Sequence, residues 1–466
     1  MNRTTSGDEL LVQLDREAPD GMRLQLEREL RRAIQNGRLR AGSVLPSSRT
    51  LAGDLGVSRG VVVEAYEQLL AEGYLVAQHG SGTRVAARRV HADQVMTPEP
   101  SPPPPRFDFR PGLPDLSLFP RRSWTISMQR ALTAAPDGAL DYPDPRGVEV
   151  ARVALATYLN RARATVARPD RVIFSSGSAQ GIGVLCRVLR DRGVRAVAVE
   201  DPGHADQCTD IAATGLETPR IPVDGAGLCV NRLAQSGAGA VLVTPAHQYP
   251  TGAVLSPERR AVLLEWAERT RGFIIEDDYD AEYRYDREPI GALQGLAPDR
   301  VVYVGSASKV LSPALRLGWL VLPPSLITDM VRAKMQADRG SSAFEQLAFA
   351  DFLNRGELDR HLRRTRPIYR RRRDALVTAL NTRLRRFPIQ GIAAGLHFMI
   401  ELERGLDEET VVAAAARRSV RVYAARIYRA NPRKGPPALL VGYGGIPESA
   451  IPEGVAQLAA AIAHCR

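Results

Sequence analysis

Tyr303 to Leu322 reads YVGSASKVLSPALRLGWLVL: an apolar strand, a turn of small residues, Lys309, then Arg316 and a second apolar strand. Of the 63 basic residues in the chain only three are lysines, Lys309, Lys334 and Lys434. A sequence that draws nearly all its positive charge from arginine keeps an amine at this turn. Arginine stays protonated and is no carbonyl nucleophile, whereas a shielded lysine can lose its proton and form a Schiff base. Ser306, Ala307 and Ser308 are small enough to let the backbone crowd a ligand. Arg316, with its planar fork, suits a phosphate. The plain alternative is a surface lysine in a loop, and the surrounding pattern argues against it.

The chain has 466 residues, too many for one compact core, so two or more domains are expected. Its 44% hydrophobic and 25% charged residues are ordinary for a soluble globular protein. A net charge of +11 allows a polyanionic partner, although general arginine richness gives the same number. Cys186, Cys208, Cys229 and Cys465 have neither metal nor disulfide spacing and read as reduced thiols in the cytoplasm. Met1–Leu11 lacks the pattern of a signal peptide, and no apolar run reaches the ~18 residues of a membrane span.

Near the N-terminus Leu26, Leu30 and Ile34 give one apolar stripe, predicting a helix over Met22–Gly37. Ser47 or Ser48 can cap a short helix with Leu51 and Leu55 inward. Gly56 makes a tight turn, and Ser58 caps a helix running to about Glu72 with Val62, Tyr66 and Leu69 inward. Tyr74–Gln78 and Thr83–Ala86 flank a hairpin tip containing His79 and Gly80. Helix, turn, helix, hairpin is the order of a winged helix-turn-helix. Residues 1–90 hold 13 arginines against 11 acids, so affinity for DNA must come from local charge and from two copies acting together.

The expected domains are 1–86, a proline-rich linker over 87–106, and 107–466. The run Pro98-Glu99-Pro100-Ser101-Pro102-Pro103-Pro104-Pro105 should be extended polyproline II. Beyond it, apolar strands at 171–176, 196–200, 240–244, 273–276, 301–305 and 318–322 alternate with helical patterns at 179–191, 205–213 and 257–270. That alternation predicts an α/β layer with a largely parallel sheet, whose ligands gather at the carboxyl ends of the strands. Gly177, Ser178 and Ala179 open a helix there, and free amides at a helix start cradle a phosphate. Glu276-Asp277-Asp278-Tyr279-Asp280 ends another strand. Its carboxylates could also hold Mg²⁺, but no phosphotransfer motif accompanies them, and no metal is expected. Residues 359–386 contain 11 arginines around a stripe of Leu376, Leu380 and Leu384. The preferred reading is a solvated helix; the sharper one is a second DNA contact. The last 70 residues fit a small lobe.

The Lys309 segment resembles the Schiff-base lysine region of fold-type I aminotransferases, which bind pyridoxal 5′-phosphate (PLP). The N-terminal segment resembles a GntR-type winged helix. In this order the two resemble the MocR/GabR family of bacterial transcription regulators, over almost the whole chain. The resemblance implies that Lys309 carries PLP as an internal aldimine. It implies that Asp277 holds the proton on the ring nitrogen and that Tyr279 bonds the ring oxygen. His204 would stand where the family stacks an aromatic, commonly tyrosine, on the ring. His247 would lie in the loop beside the ring hydroxyl, and Tyr142 would touch phosphate across a homodimer interface. In the head it implies that Arg49, Ser58 and Arg59 meet major-groove DNA and that His79 and Gly80 meet the minor groove or phosphate. Val61 and Val62 replace the usual threonine after Gly60.

The resemblance therefore implies a cytoplasmic, dimeric regulator that binds operator DNA, associates with the nucleoid when bound, and senses PLP or a small amine. The alternative is a PLP-dependent aminotransferase with an accessory DNA-binding domain. Against it stands Gly435-Pro436-Pro437-Ala438, where such enzymes usually carry a carboxylate-binding arginine; Arg426 and Arg429 are the nearest substitutes. A DNA binder without cofactor would leave Lys309 without a purpose.

Overall fold

The computed structural model describes residues 14–78, 82–86, 104–285, 290–385 and 387–466. His79 and Gly80 lie outside the described residues, as does most of the linker. The chain divides into two compact units, Met1–Pro103 and Pro104–Arg466.

In the first unit α1 (Met22–Gln35), α2 (Ser48–Leu55) and α3 (Arg59–Ala71) precede a hairpin of β1 (Leu75–Gln78) and β2 (Gly82–Val85). Leu26, Leu30, Leu51, Val62, Ala65 and Leu69 close into one core, sealed by Leu75 and Val85 from the hairpin. Of the two capping candidates for α2, Ser47 is the cap: its hydroxyl accepts from Thr50 N at 3.1 Å. Ser58 caps α3, and between them Gly56 takes the left-handed conformation at φ 62°. The Tyr66 hydroxyl donates to the Pro46 carbonyl at 3.0 Å, tying α3 to the segment entering α2.

The second unit is built on an eight-stranded sheet and a smaller four-stranded one. Along the chain the large sheet comprises β3 (Val172–Ser175), β4 (Val197–Asp201), β5 (Arg220–Asp224), β6 (Gly227–Leu228), β7 (Ala240–Val243), β8 (Phe273–Asp277), β9 (Val301–Ser306) and β10 (Gly318–Val321). Their spatial order is β3-β10-β9-β8-β7-β4-β5-β6. β10 runs antiparallel between β3 and β9, and β6 is antiparallel at the edge; the other pairings are parallel. All residues of β3, β7, β8, β9 and β10 are buried, so these strands read as unbroken apolar runs. β5 and β6 escape such a reading because Pro222 interrupts one and the other has two residues. Helices α4 (Glu149–Arg163), α5 (Ser178–Asp191), α6 (Ala205–Ala213) and α7 (Pro257–Thr270) contribute to its covering layers.

The arginine-rich stretch forms α8 (Glu357–Arg383). Leu376, Leu380 and Leu384 pack with the small lobe, where β11 (Ile389–Gln390), β12 (His397–Glu401), β13 (Tyr423–Ala424) and β14 (Ala438–Gly442) pair in the order β11-β12-β14-β13 beside α9 (Ile451–His464). One arginine departs from the solvated-helix expectation. Arg372 is buried and spans Asp115 Oδ2 at 2.6 Å and the Gly444 carbonyl at 2.5 Å. It falls on the same stripe as Tyr369 and Leu376, where helical spacing takes precedence over charge.

Candidate cofactor site and DNA-reading head

Sheet register assembles the site. Gly318 of β10 is paired with Ser306 on one side and Ser175 on the other, so the lysine turn and the start of α5 become neighbours. Val304 of β9 pairs with Asp277 of β8, which brings the acidic strand end beside the same turn. Ser178, His204, Asp277, Tyr279, Ser306, Ser308, Lys309 and Arg316 line one cavity of about 310 Å³. That volume is at the small end of the range for a cofactor-sized ligand.

Each wall has its own chemistry. Lys309 is shielded, and burial lowers its pKa toward the neutral amine, opposed by the charges of Asp280 and Asp277. Gly112 crosses directly over it: a Cβ there would stand 3.2 Å from Lys309 Nζ. Arg316 takes a left-handed backbone at φ 50° and donates from Nη2 to the Ser176 carbonyl at 2.6 Å. The guanidinium lies against Gly177, where a Cβ would come within 2.9 Å of Nη2. Gly177 is the N-cap of α5, so its exposed amides and a fixed cation meet at one end of the cavity.

At the other end Asp277 is fully enclosed, and burial pushes its carboxyl up to about 6. Its Oδ2 accepts from Gln207 Nε2 at 2.6 Å, while its Oδ1 is buried with no partner. A buried carboxylate oxygen left unmatched is costly unless a cationic N–H arrives to meet it. His204 caps α6 and packs its ring on Tyr249, centroids 5.2 Å apart. Behind it Glu200 accepts from Thr244 Oγ1 at 2.6 Å, and burial raises its carboxyl to about 7.

Three expected residues stand apart from these walls. His247 sits one layer back, with Nδ1 3.0 Å from the Tyr279 hydroxyl. Ala179 points outward from the first turn of α5, exposed. Tyr142 is 82% exposed and does not line the cavity of its own chain. Asp278 and Asp280, the other two aspartates of the acidic run, pair with Arg163 at 2.7 Å and with His247 at 3.0 Å. Arg429 and Arg426 are both engaged, with Glu408 at 3.4 Å and Glu409 at 3.3 Å respectively, and neither lines the cavity.

Sequence reading missed Gly112, Gln207, Tyr249 and Glu200. Gln207 had a usable signal, since it lies three positions beyond His204 on a helix and shares its face. Gly112 had none, because it arrives from 60 positions before β3, which begins at Val172.

In the head, Ser58 and Arg59 are exposed at the start of α3, and Arg49 is exposed in the first turn of α2. Arg59 Nε reaches Ser48 Oγ at 3.4 Å, so the two helix starts present one polar surface.

Comparison with known proteins agrees with both units. Residues 22–85 match the gntR family of bacterial regulatory proteins, and residues 118–438 match aminotransferase class I and II. A kynurenine aminotransferase from Pyrococcus horikoshii, solved with PMP, superposes with a TM-score of 0.70 at 25% identity over 77% of this chain and 91% of that one. A multiple substrate aminotransferase from Thermococcus profundus superposes equally, at 0.70 and 26% identity, with the same coverage. The architecture is thus a helix-turn-helix regulator whose second unit has the fold-type I aminotransferase fold. Among curated proteins the chain is 32% identical to the probable rhizopine catabolism regulatory protein MocR of Rhizobium meliloti, covering 97% of this chain and 96% of that protein. It is 34% identical to the pyridoxine biosynthesis regulator PdxR of Corynebacterium glutamicum, covering 90% and 91%. The chain belongs to the MocR/GabR family of HTH-type transcription regulators. Among the described residues no helix is long and apolar enough to cross a membrane.

Proposed function

We propose that the second unit binds PLP at Lys309 and that its occupancy, or its reaction with a small amine, sets the DNA affinity of the head. One observation carries the reading: Asp277 with its unmatched buried oxygen, the shielded Lys309 and Arg316, which rests against Gly177, all line one cavity. Bound PLP supplies an aldehyde that condenses with primary amines and a pyridine ring that draws electrons.

The protein's residues then have separate tasks. Lys309, favoured as the free amine by burial, holds the aldehyde carbon. Arg316, the amides of Gly177, Ser178 and Ala179, and the hydroxyls of Ser306 and Ser308 hold phosphate. Asp277 keeps a proton on the ring nitrogen, Tyr279 donates toward the ring oxygen with His247 behind it, and His204 stacks on the ring. The partner subunit's Tyr142 reaches the phosphate in a homodimer. Residues 1–86 read operator DNA through Arg49, Ser58, Arg59, His79 and Gly80; 87–106 link the two parts; 107–466 bind cofactor and effector. The protein acts in the cytoplasm. An effector changes DNA affinity only by binding two conformations differently. Regulation is favoured over transamination because Arg426 and Arg429 already serve acidic neighbours.

The test is spectroscopic. Protein reconstituted with PLP should absorb in the visible at roughly 400–430 nm, and Lys309→Ala should not. Borohydride reduction and peptide mapping should place the adduct on Lys309. A wild type that takes up no PLP, or an adduct on Lys334 or Lys434, would refute the assignment.

A further inference from the structure

Behind Tyr279 lie His247, Asp280 and His397, all buried, with donor atoms within 4.8 Å of one another. Two imidazoles and a carboxylate could ligate a divalent metal. Packing opposes that use. A Cβ at Gly395 would stand 2.2 Å from His247 Cε1 and 2.5 Å from Asp280 Oδ2, and one at Gly252 would stand 3.3 Å from His247 Nε2. Backbone is pressed against the imidazole at two places, and none of the larger cavities includes it.

Hydrogen-bond accounting gives the cluster another task. His247 Nδ1 lies 3.0 and 3.2 Å from the two Asp280 oxygens and 3.0 Å from the Tyr279 hydroxyl. A carboxylate oxygen accepts from this ring nitrogen only when Nδ1 carries the proton. That N–H also faces a lone pair of Tyr279. The tyrosine therefore keeps its own O–H to donate elsewhere, and it lines the cofactor cavity. In that tautomer Nε2 is a bare acceptor, and it has no hydrogen-bond partner. His397 packs beside it, ring centroids 5.1 Å apart, and the Pro250 carbonyl is an acceptor for the proton of the His397 ring. Burial holds His397 neutral, so it has one N–H to offer. His397 opens β12 of the small lobe, whereas His247 and Asp280 follow strands of the large sheet.

We propose that Asp280 and His247 are positioning residues that keep the Tyr279 hydroxyl donating into the cavity, and that His397 links this setting to the seating of the small lobe. The cofactor reading enters only in what Tyr279 donates to. A small lobe that shifts withdraws the His397 ring packed against His247, frees the His247 ring to change tautomer, and turns the Tyr279 proton away from the ligand.

Two measurements on the full chain test this. Nitrogen-15 NMR of ring-labelled histidine needs no ligand, and only seven histidines are present. His247, assigned by loss of its signals in His247→Asn, should show protonated Nδ1 and bare Nε2, with the preference lost in Asp280→Asn. Protonation at Nε2 would overturn the proposal. In the second arm the visible band of PLP-loaded protein is titrated with pH. His247→Ala and His397→Phe should each move its midpoint by about one unit, and His247→Asn, which keeps a donor near Nδ1, by much less. In a Tyr279→Phe background His247→Ala should add nothing. Additive shifts, or a wild-type midpoint in His397→Phe, would overturn it. Failure to bind PLP at all would defeat the cofactor reading, and the ligand-free NMR would still decide this one.

Discussion

Burial drives Lys309 and Asp277 in the same chemical direction, toward the uncharged form, although one pKa falls and the other rises. For the lysine the result is a nucleophile. For the aspartate it is a carboxyl whose ionised form awaits a cationic partner, and this has a measurable cost. Well below the ordinary value of 3.8 the group is neutral in the folded and the unfolded chain, and above it the unfolded chain ionises first. As pH rises through about 6 it must ionise inside the fold, so stability present at low pH is lost across that window. Asp277→Asn removes the penalty. Unloaded protein should gain roughly 1–3 kcal/mol at pH 7 over wild type, and well under half of that at pH 4, in chemical denaturation. Glu276, raised to about 7, is present in both proteins and cancels in the comparison; Glu200, also raised to about 7 and partly by the Asp277 charge, is relieved by the substitution and adds in the same direction. The same variant should bind PLP about tenfold or more weakly, because it lacks the ionised oxygen. These residues were legible because each follows an apolar strand. Gly112 was not, because nothing in its neighbourhood announces a ligand.

Helix α8 shows what the secondary-structure element adds. Its arginines look equivalent as a string, yet Arg371 is exposed and paired with Glu448 at 3.3 Å, while Arg372 is buried against Asp115. An exposed ion pair contributes about 0–1 kcal/mol, whereas stripping one partner from a buried pair costs about 3–5 kcal/mol. Arg372→Met should therefore lower unfolding stability by a few kcal/mol, and Arg371→Met should leave it within error, as read by denaturant midpoints. Any DNA contact by this helix would have to use its exposed arginines, so charge reversal there should spare Arg372. The leucine stripe was readable from spacing alone. That an arginine shares the stripe follows from Asp115, more than 250 residues away.

At the scale of the whole molecule, Arg59 and Lys309 belong to units with separate hydrophobic cores. Arg59→Ala should abolish operator binding in a gel-shift or anisotropy assay while the visible band of the PLP-loaded protein stays at wild-type strength. Undiminished DNA binding by the variant would show that α3 does not read the operator.

Local sequence alone determined the head, because a winged helix is written in short-range signals: capping serines, a left-handed glycine and four-residue apolar spacing. It also determined which strand ends bear the lysine, the aspartate and the glycine turn at Gly177. Only the tertiary structure decided which of these face one another, since β10 runs antiparallel between β3 and β9 and thereby places Gly318 between Ser175 and Ser306. It alone put His397 of the small lobe beside His247. Pairing partners of that kind are chosen by sheet order and by the burial of both faces, and neither is encoded in any single stretch of chain.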